Sequence, residues 1–296
     1  MGINCCKNQD TFTHKQIDVS LGEHAKPLTI STPINLFDVI GKLAIDKGFN
    51  NVVEEILKAD AKTSGSVVLD TNLPILNIRL DMWALLRAQE GTSNKLHNYY
   101  TQARMPFTPE LFFLFSLNAS AEVLKSLDPD IDIAERVTYV IGEEIILLVQ
   151  RSRTKKMLVV SPKDIFIVRV IKRLPNRDII EFSTSVQFTG LKETEIYERL
   201  KSELANEALV YLAGTQVQKQ ERDSLLYAFS NIDLLTSVGL TIIKPFLKKK
   251  LKSYYTNLMT QMADFARAGN VGPELVWFTD DRNDVKRVFA ENRTLN

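Results

Sequence analysis

Cysteine is almost absent: the chain has two, Cys5 and Cys6, side by side. Adjacent cysteines make a poor structural disulfide, because bridge geometry needs well-separated Cα atoms. The chain must therefore fold without crosslinks, which suits a reducing compartment. The sequons at Asn118 and Asn292 then have no glycosylation role. Histidine is nearly as scarce. His14, His24 and His97 are scattered, and no H-E-x-x-H, G-x-S-x-G, Walker loop or cysteine-based zinc spacing occurs. The common metal, nucleophile and nucleotide chemistries are thereby excluded, so no catalytic residue, metal or cofactor is expected. Acid pairs such as Glu143-Glu144 read as solvated turns. Long apolar runs are missing too. The longest, 111–121 and 234–243, fall short of the roughly 18 residues of a membrane span. The N-terminus lacks the hydrophobic core of a secretory leader. Charge of one sign is also lacking: 37 Lys and Arg stand against 36 acids. That balance gives no global attraction to nucleic acid.

What is present describes a folded protein. Of 296 residues, 45% are apolar and 25% charged, enough to build a sizeable core. The start is Met1-Gly2-Ile3-Asn4-Cys5-Cys6. With Met1 removed, Gly2 is an acceptor for myristate, although Cys6 stands where the pattern has Ser or Thr. One myristoyl chain holds a membrane only marginally, and a second acyl chain makes the attachment stable. Cys5 and Cys6 supply the thiols for palmitate. The expectation is a cytoplasmic protein held peripherally on a membrane by Gly2, Cys5 and Cys6, with residues 1–30 as anchor and tether.

The body is expected over 31–268, followed by a tail at 269–296. Ser31-Thr32-Pro33 and then Phe37, Ile40, Leu43 and Ala44 predict a helix. Gly48 interrupts, and Val52, Val53, Ile56 and Leu57 form a second helical face. Extended segments follow at 74–80 and 83–89. Thr108-Pro109-Glu110 opens another helix, and 119–127 continues helical. Alternation predicts strands at 133–140, 144–152, 156–160, 165–174 and 178–188, then at 205–212 and 224–232. A long helix covers 243–268 and stops at Gly269-Asn270. Strands joined by short turns make an antiparallel sheet. The fold class is therefore α+β: a curved sheet around a long C-terminal helix, with an internal apolar cavity as the natural ligand site.

Val159-Val160-Ser161-Pro162-Lys163-Asp164-Ile165-Phe166-Ile167-Val168-Arg169 resembles the S-P-R-D-F-v-x-v-R signature of START domains, the lipid-transfer domains related to steroidogenic acute regulatory protein. Ser185-Val186 and the closing helix also fit the family's order of elements, and the resemblance covers roughly residues 50–268. It implies a helix-grip fold that holds one lipid, a sterol or a phospholipid, in its cavity. The pattern departs in places. Leu127-Asp128 stands for a Trp-Asp pair, and Gly239-Leu240-Thr241-Ile242-Ile243-Lys244-Pro245 alters a G-x-x-P. The arginine of phosphatidylcholine-binding members is missing from Val123-Leu124-Lys125-Ser126. Sterol-binding members set an acid opposite the signature arginine. Here the arginine is Arg169, and ungapped spacing puts Gln150 in the acid's place. A Gln–Arg pair would leave the guanidinium free for an anionic or carbonyl head group.

Arg169 shares a strand face with Ile165, Ile167 and Ile171. That face meets either the cavity or water, and the resemblance favours the cavity. Asp164 is expected to make structural hydrogen bonds at the strand start. On the long helix, Leu247, Leu251, Tyr254, Leu258, Met262 and Phe265 repeat at helical spacing. They read as cavity wall or as plain core. The expected lipid contacts are Arg169, Gln150, Ile167, Ile171, Leu251, Tyr254, Leu258 and Met262. Lys244, Lys248, Lys249, Lys250 and Lys252 form either a solvated face or a contact with an anionic leaflet. The functional reading is a monomeric module that transfers or senses one lipid at a membrane surface. Alternatives are a lipid-anchored adaptor that recruits a protein partner and, third, a helix-grip enzyme such as a cyclase or hydrolase.

Overall fold

A computed structural model describes residues 17–19, 45–58, 66–73, 78–88, 95–140, 144–156, 161–189, 206–221, 223–233, 240–269, 276–278 and 282–293. Gly2, Cys5, Cys6, the helix expected from Ser31 and most of the strand expected at 156–160 lie outside these residues. The described strands are β1 (Ile17–Val19), β2 (Ser66–Leu73), β3 (Ile78–Ala88), β4 (Lys95–Met105), β5 (Ile131–Val140), β6 (Ile145–Thr154), β7 (Asp164–Arg173), β8 (Ile179–Ser185), β9 (Glu207–Lys219) and β10 (Ser224–Asp233). The helices are α1 (Ile45–Lys58), α2 (Pro109–Asn118), α3 (Ala121–Leu127), α4 (Leu240–Ala268) and α5 (Arg282–Arg293).

The strands form one curved antiparallel sheet in the order β1-β5-β6-β7-β8-β9-β10-β4-β3-β2. From β5 to β10 the neighbours are sequential, joined as a meander. Sequential order is broken where β1 lies beside β5 and at the seam between β10 and β4, where Leu225 faces Arg104 and Phe229 faces Tyr100. β8 is short, so beyond its end Asp164 and Ile165 of β7 pair directly with Glu207 and Ala208 of β9.

The sheet separates two apolar layers. On one face, α2, α4 and α5 pack against residues such as Leu80, Met105, Leu148 and Ile171, all fully buried. On the other, Phe49, Val52 and Ile56 of α1 cover Val149, Val168 and Phe182. Gly48 does not break α1 as its sequence position suggests. It lies inside the helix where a Cβ would stand 2.7 Å from the Phe182 ring. Gly214 of β9 accommodates Val52 of α1 in the same way.

Thr108 caps α2 by accepting from Leu111 N, with Pro109 in the first turn, as the sequence predicts. Gly269 closes α4 at φ +57°, its N–H donating to the Phe265 carbonyl, 3.2 Å. Beyond it, Val276, Trp277, Phe278, Val285, Val288 and Phe289 are buried in the same core. Much of the tail is thus part of the body's packing. Two asparagines fasten it. The Asn292 amide accepts from Thr108 N and donates to Thr108 Oγ1, both at 2.9 Å. Asn118 Nδ2 donates to the Val276 carbonyl at 3.1 Å, while its Oδ1 accepts from Val276 N at 3.0 Å. Both sequon asparagines therefore use their amides internally.

Candidate functional site

The concave side of the sheet and α4 enclose a cavity of about 640 Å³. Its volume lies within the roughly 300–1,000 Å³ of small-molecule sites. The α4 wall consists of Phe246, Leu247, Leu251, Tyr254, Tyr255 and Leu258. Leu226, Ala228 and Ile232 come from β10, Val210 and Ala213 from β9, and Phe112, Phe115 and Leu124 from α2 and α3. Most of the lining is aliphatic or aromatic, as a site for apolar molecules requires.

Alternation along β7 decides what faces inward. Ile165, Ile167 and Arg169 line the cavity, while Phe166, Val168 and Val170 are buried in the layer beneath α1. The signature's Asp164 works at the strand start. It is almost wholly buried and accepts from Arg153 at 2.9 and 3.0 Å, pinning β7 to β6. Thr154 and Lys163 tie the same turn: Thr154 N donates to the Lys163 carbonyl at 2.8 Å, and Lys163 N donates to Thr154 Oγ1 at 3.0 Å.

The guanidinium of Arg169 is not free for an anionic head group, contrary to the expectation drawn from Gln150. Glu181, on the adjacent strand β8, takes Nε at 3.1 Å and Nη2 at 2.8 Å. Gln150 Oε1 accepts from Nη1 at 3.2 Å, and Ser116 Oγ from Nη2 at 3.3 Å. The acid that balances the charge is thus present, two residues before Ser183, the register partner of Arg169. Burial disfavours the charged guanidinium, but its attraction to Glu181 prevails and raises its pKa. Tyr254 lies close enough to be influenced by Arg169 and Glu181; burial and the nearby acids keep its phenol protonated. Burial likewise holds Tyr255 neutral.

The cavity brings together Gln150, Ile167, Arg169, Leu251, Tyr254 and Leu258. Ile171 and Met262, expected beside them, are instead locked in the core: both are fully buried and neither lines the cavity. Each lies farther along its element, Ile171 past Arg169 on β7 and Met262 a turn past Leu258 on α4, where close packing leaves no space.

A second polar cluster stands in the first half of α4. Lys250 bridges Asp128 and Asp130, each at 3.1 Å, and lines the cavity with Asp128. Asn257 Nδ2 donates to the Ser126 carbonyl at 3.1 Å one to two turns further on. Lys248, Lys249 and Lys252 are exposed. Among the described residues no helix is long and apolar enough to cross a membrane, and no cluster of His, Cys, Asp and Glu could hold a metal ion.

Solved structures share this architecture. Human StAR-related lipid transfer protein 5 superposes with a TM-score of 0.53 at 15% identity, over 75% of this chain and 98% of its own. Human STARD10 superposes with a TM-score of 0.53 at 13% identity, over 75% of this chain and 81% of its own. The chain therefore has the helix-grip fold of the StAR-related lipid-transfer domains. No protein-family profile and no curated protein sequence matches it.

Proposed function

We propose that the protein holds one lipid in this cavity and transfers or senses it at a membrane to which it is anchored by acylation of Gly2, Cys5 and Cys6. The observation that carries the reading is a largely apolar cavity in which the charge of Arg169 is already balanced by Glu181. An Arg169–Glu181 pair offers donors and acceptors without net charge, so it suits a neutral hydroxyl or carbonyl head, such as that of a sterol, over an anionic phospholipid. The surrounding aliphatic wall suits the lipid's body, each buried methylene being worth about 0.8 kcal/mol. Most of that energy is regained in a bilayer, so the ligand can exchange. Residues 1–30 serve as tether, and the exposed Lys248, Lys249 and Lys252 lie beside the Lys250 edge of the cavity. There they can meet an anionic leaflet at about 1 kcal/mol each. The reading is one of binding rather than catalysis, because the cavity's carboxylates, Glu181 and Asp128, are each closed in an ion pair, with Arg169 and with Lys250.

Native mass spectrometry of the protein from its own cells tests this. A bound neutral lipid in stoichiometric amount is expected. An empty cavity would favour the adaptor reading, and a bound anionic phospholipid would overturn the head-group assignment. Gly2→Ala tests the anchor: the protein should move from the membrane to the soluble fraction, and unchanged fractionation refutes it.

A further inference from the structure

The polar groups of the cavity do not end at Arg169. Arg169 Nη1 donates to Gln150 Oε1, which fixes the orientation of the Gln150 amide, since only its oxygen can accept. Its nitrogen then faces along β6, and Nε2 donates to Ser152 Oγ at 3.1 Å. The chain Glu181–Arg169–Gln150–Ser152 thus runs in one direction and ends on a hydroxyl that has already accepted. Ser152 keeps its proton to give and one further lone pair. Ser152 is 6% exposed, its side chain lines the cavity, and among the described residues no acceptor receives its proton. A donor at the end of a polarised chain is strengthened by the bonds behind it, and a buried donor without an acceptor is costly. If only volume mattered here, an apolar side chain would serve, as Ile165 does opposite it on β7. The facing walls, β10 with Leu226, Ala228 and Ile232 and α4 with Leu247 and Leu251, are apolar. The polar edge along β6, with Gln150, Ser152 and Thr154, therefore faces largely apolar walls.

We propose that Ser152 is a second polar subsite, donating a hydrogen bond to an oxygen on the flank of the bound lipid. The cavity then selects a neutral lipid with two oxygen functions on one edge over a monohydroxy lipid. Arg169 Nη1 and Ser152 Oγ are linked through the one Gln150 amide by bonds of 3.2 and 3.1 Å, so the two ligand oxygens facing them are separated by roughly 6–8 Å. This rests on the reading of the Arg169–Glu181 pair as the site of a neutral head group.

The test uses the full chain and two probes, cholesterol and its 3,7-dihydroxy analogue, each competed against radiolabelled cholesterol. Wild type should bind the dihydroxy probe about tenfold more tightly. Ser152→Ala should bring the ratio of the two affinities to near one, with a thermal midpoint close to wild type, and Ser152→Thr should restore the preference. The ratio is the readout, so a general loss of affinity does not mimic the effect. A preference that survives in Ser152→Ala, or cholesterol binding by wild type with no preference, overturns the subsite alone. Binding of neither probe by wild type removes the head-group reading beneath it and the subsite with it.

Discussion

Replacing Arg169 with leucine tests the ion pair at the heart of the cavity. Considered as a lone charge in an apolar strand, Arg169 should be dispensable, and its loss should hold or raise stability. Glu181 reverses that expectation. The two side chains are 16% and 10% exposed and meet at 2.8 Å. Arg169→Leu strands the Glu181 carboxylate with the Ser183 hydroxyl, 3.3 Å away, as its remaining donor among the cavity residues. Removing one partner of a buried pair costs about 3–5 kcal/mol. For a domain of this size each kcal/mol lowers the thermal midpoint by about 2–4 °C, so a fall of roughly 6–20 °C is expected. Arg169→Leu with Glu181→Leu removes both charges and should lie within about 1 kcal/mol of wild type or above it. Denaturant unfolding of wild type, both single variants and the double variant closes the cycle. The double variant should fold and lose affinity for neutral lipids. A midpoint for Arg169→Leu within about 3 °C of wild type, or a coupling energy below about 1 kcal/mol, would refute the reasoning.

Other contacts make sharper local predictions. Gly214→Ala drives a methyl group into Val52 and to 2.8 Å from the Glu181 carbonyl, and should cost about 1–3 kcal/mol in denaturant unfolding. Adding Val52→Ala should recover part of the loss, and an unaltered Gly214→Ala would disprove the packing of α1 on β9. Asn292→Ala leaves Thr108 N without its acceptor and should lower stability by about 1–3 kcal/mol, read as a drop in thermal midpoint. Lys250→Ala should change stability by less than about 1 kcal/mol, because its bonds to Asp128 and Asp130 are partly solvated. It should nevertheless speed release of a bound lipid to acceptor vesicles, and an unchanged release rate would show that this tie does not restrain the cavity.

The parts of the fold that sequence patterning predicts are those where one face is apolar without interruption. Strands β5 to β8, β10 and helix α4 fall within a few residues of their expected bounds for that reason. β4 carries no such pattern. Its buried positions include Asn98 and Thr101 beside Tyr100 and Ala103, so the inward faces read as polar. β3 is one strand where the pattern suggests two segments, because Asp81, which accepts from Arg79, interrupts the apolar run. β9 continues to Lys219, past the expected end at 212, through half-buried polar residues. The cavity face of β7 follows from alternation and the resemblance. Glu181 was readable by the same logic as Arg169: it is the single charge in Ile179-Ile180-Glu181-Phe182. The long-range register that sets β8 beside β7 is what a local pattern does not contain. Gly48 shows the same limit, since its need for space comes from Phe182, far away in sequence.

The β10–β4 seam sets a clock for folding during synthesis. Arg104 and Asp223, which pair across it, are 119 residues apart. At about 5–20 residues per second, the ribosome needs roughly 6–24 s to deliver β10 after β4 has emerged. In that interval β2, β3 and β4 can form a three-stranded meander, but its edge on β4 has no neighbour and its apolar face, with Leu80, Met82 and Met105, has nothing to cover it. An unpaired edge with an open apolar face is the state in which chains join one another. The arginine and glutamine on β4 that face β10, Arg104 and Gln102, keep that edge charged and polar while it waits. Yield on expression should therefore depend on temperature and on these two residues more than on the stability of the finished protein.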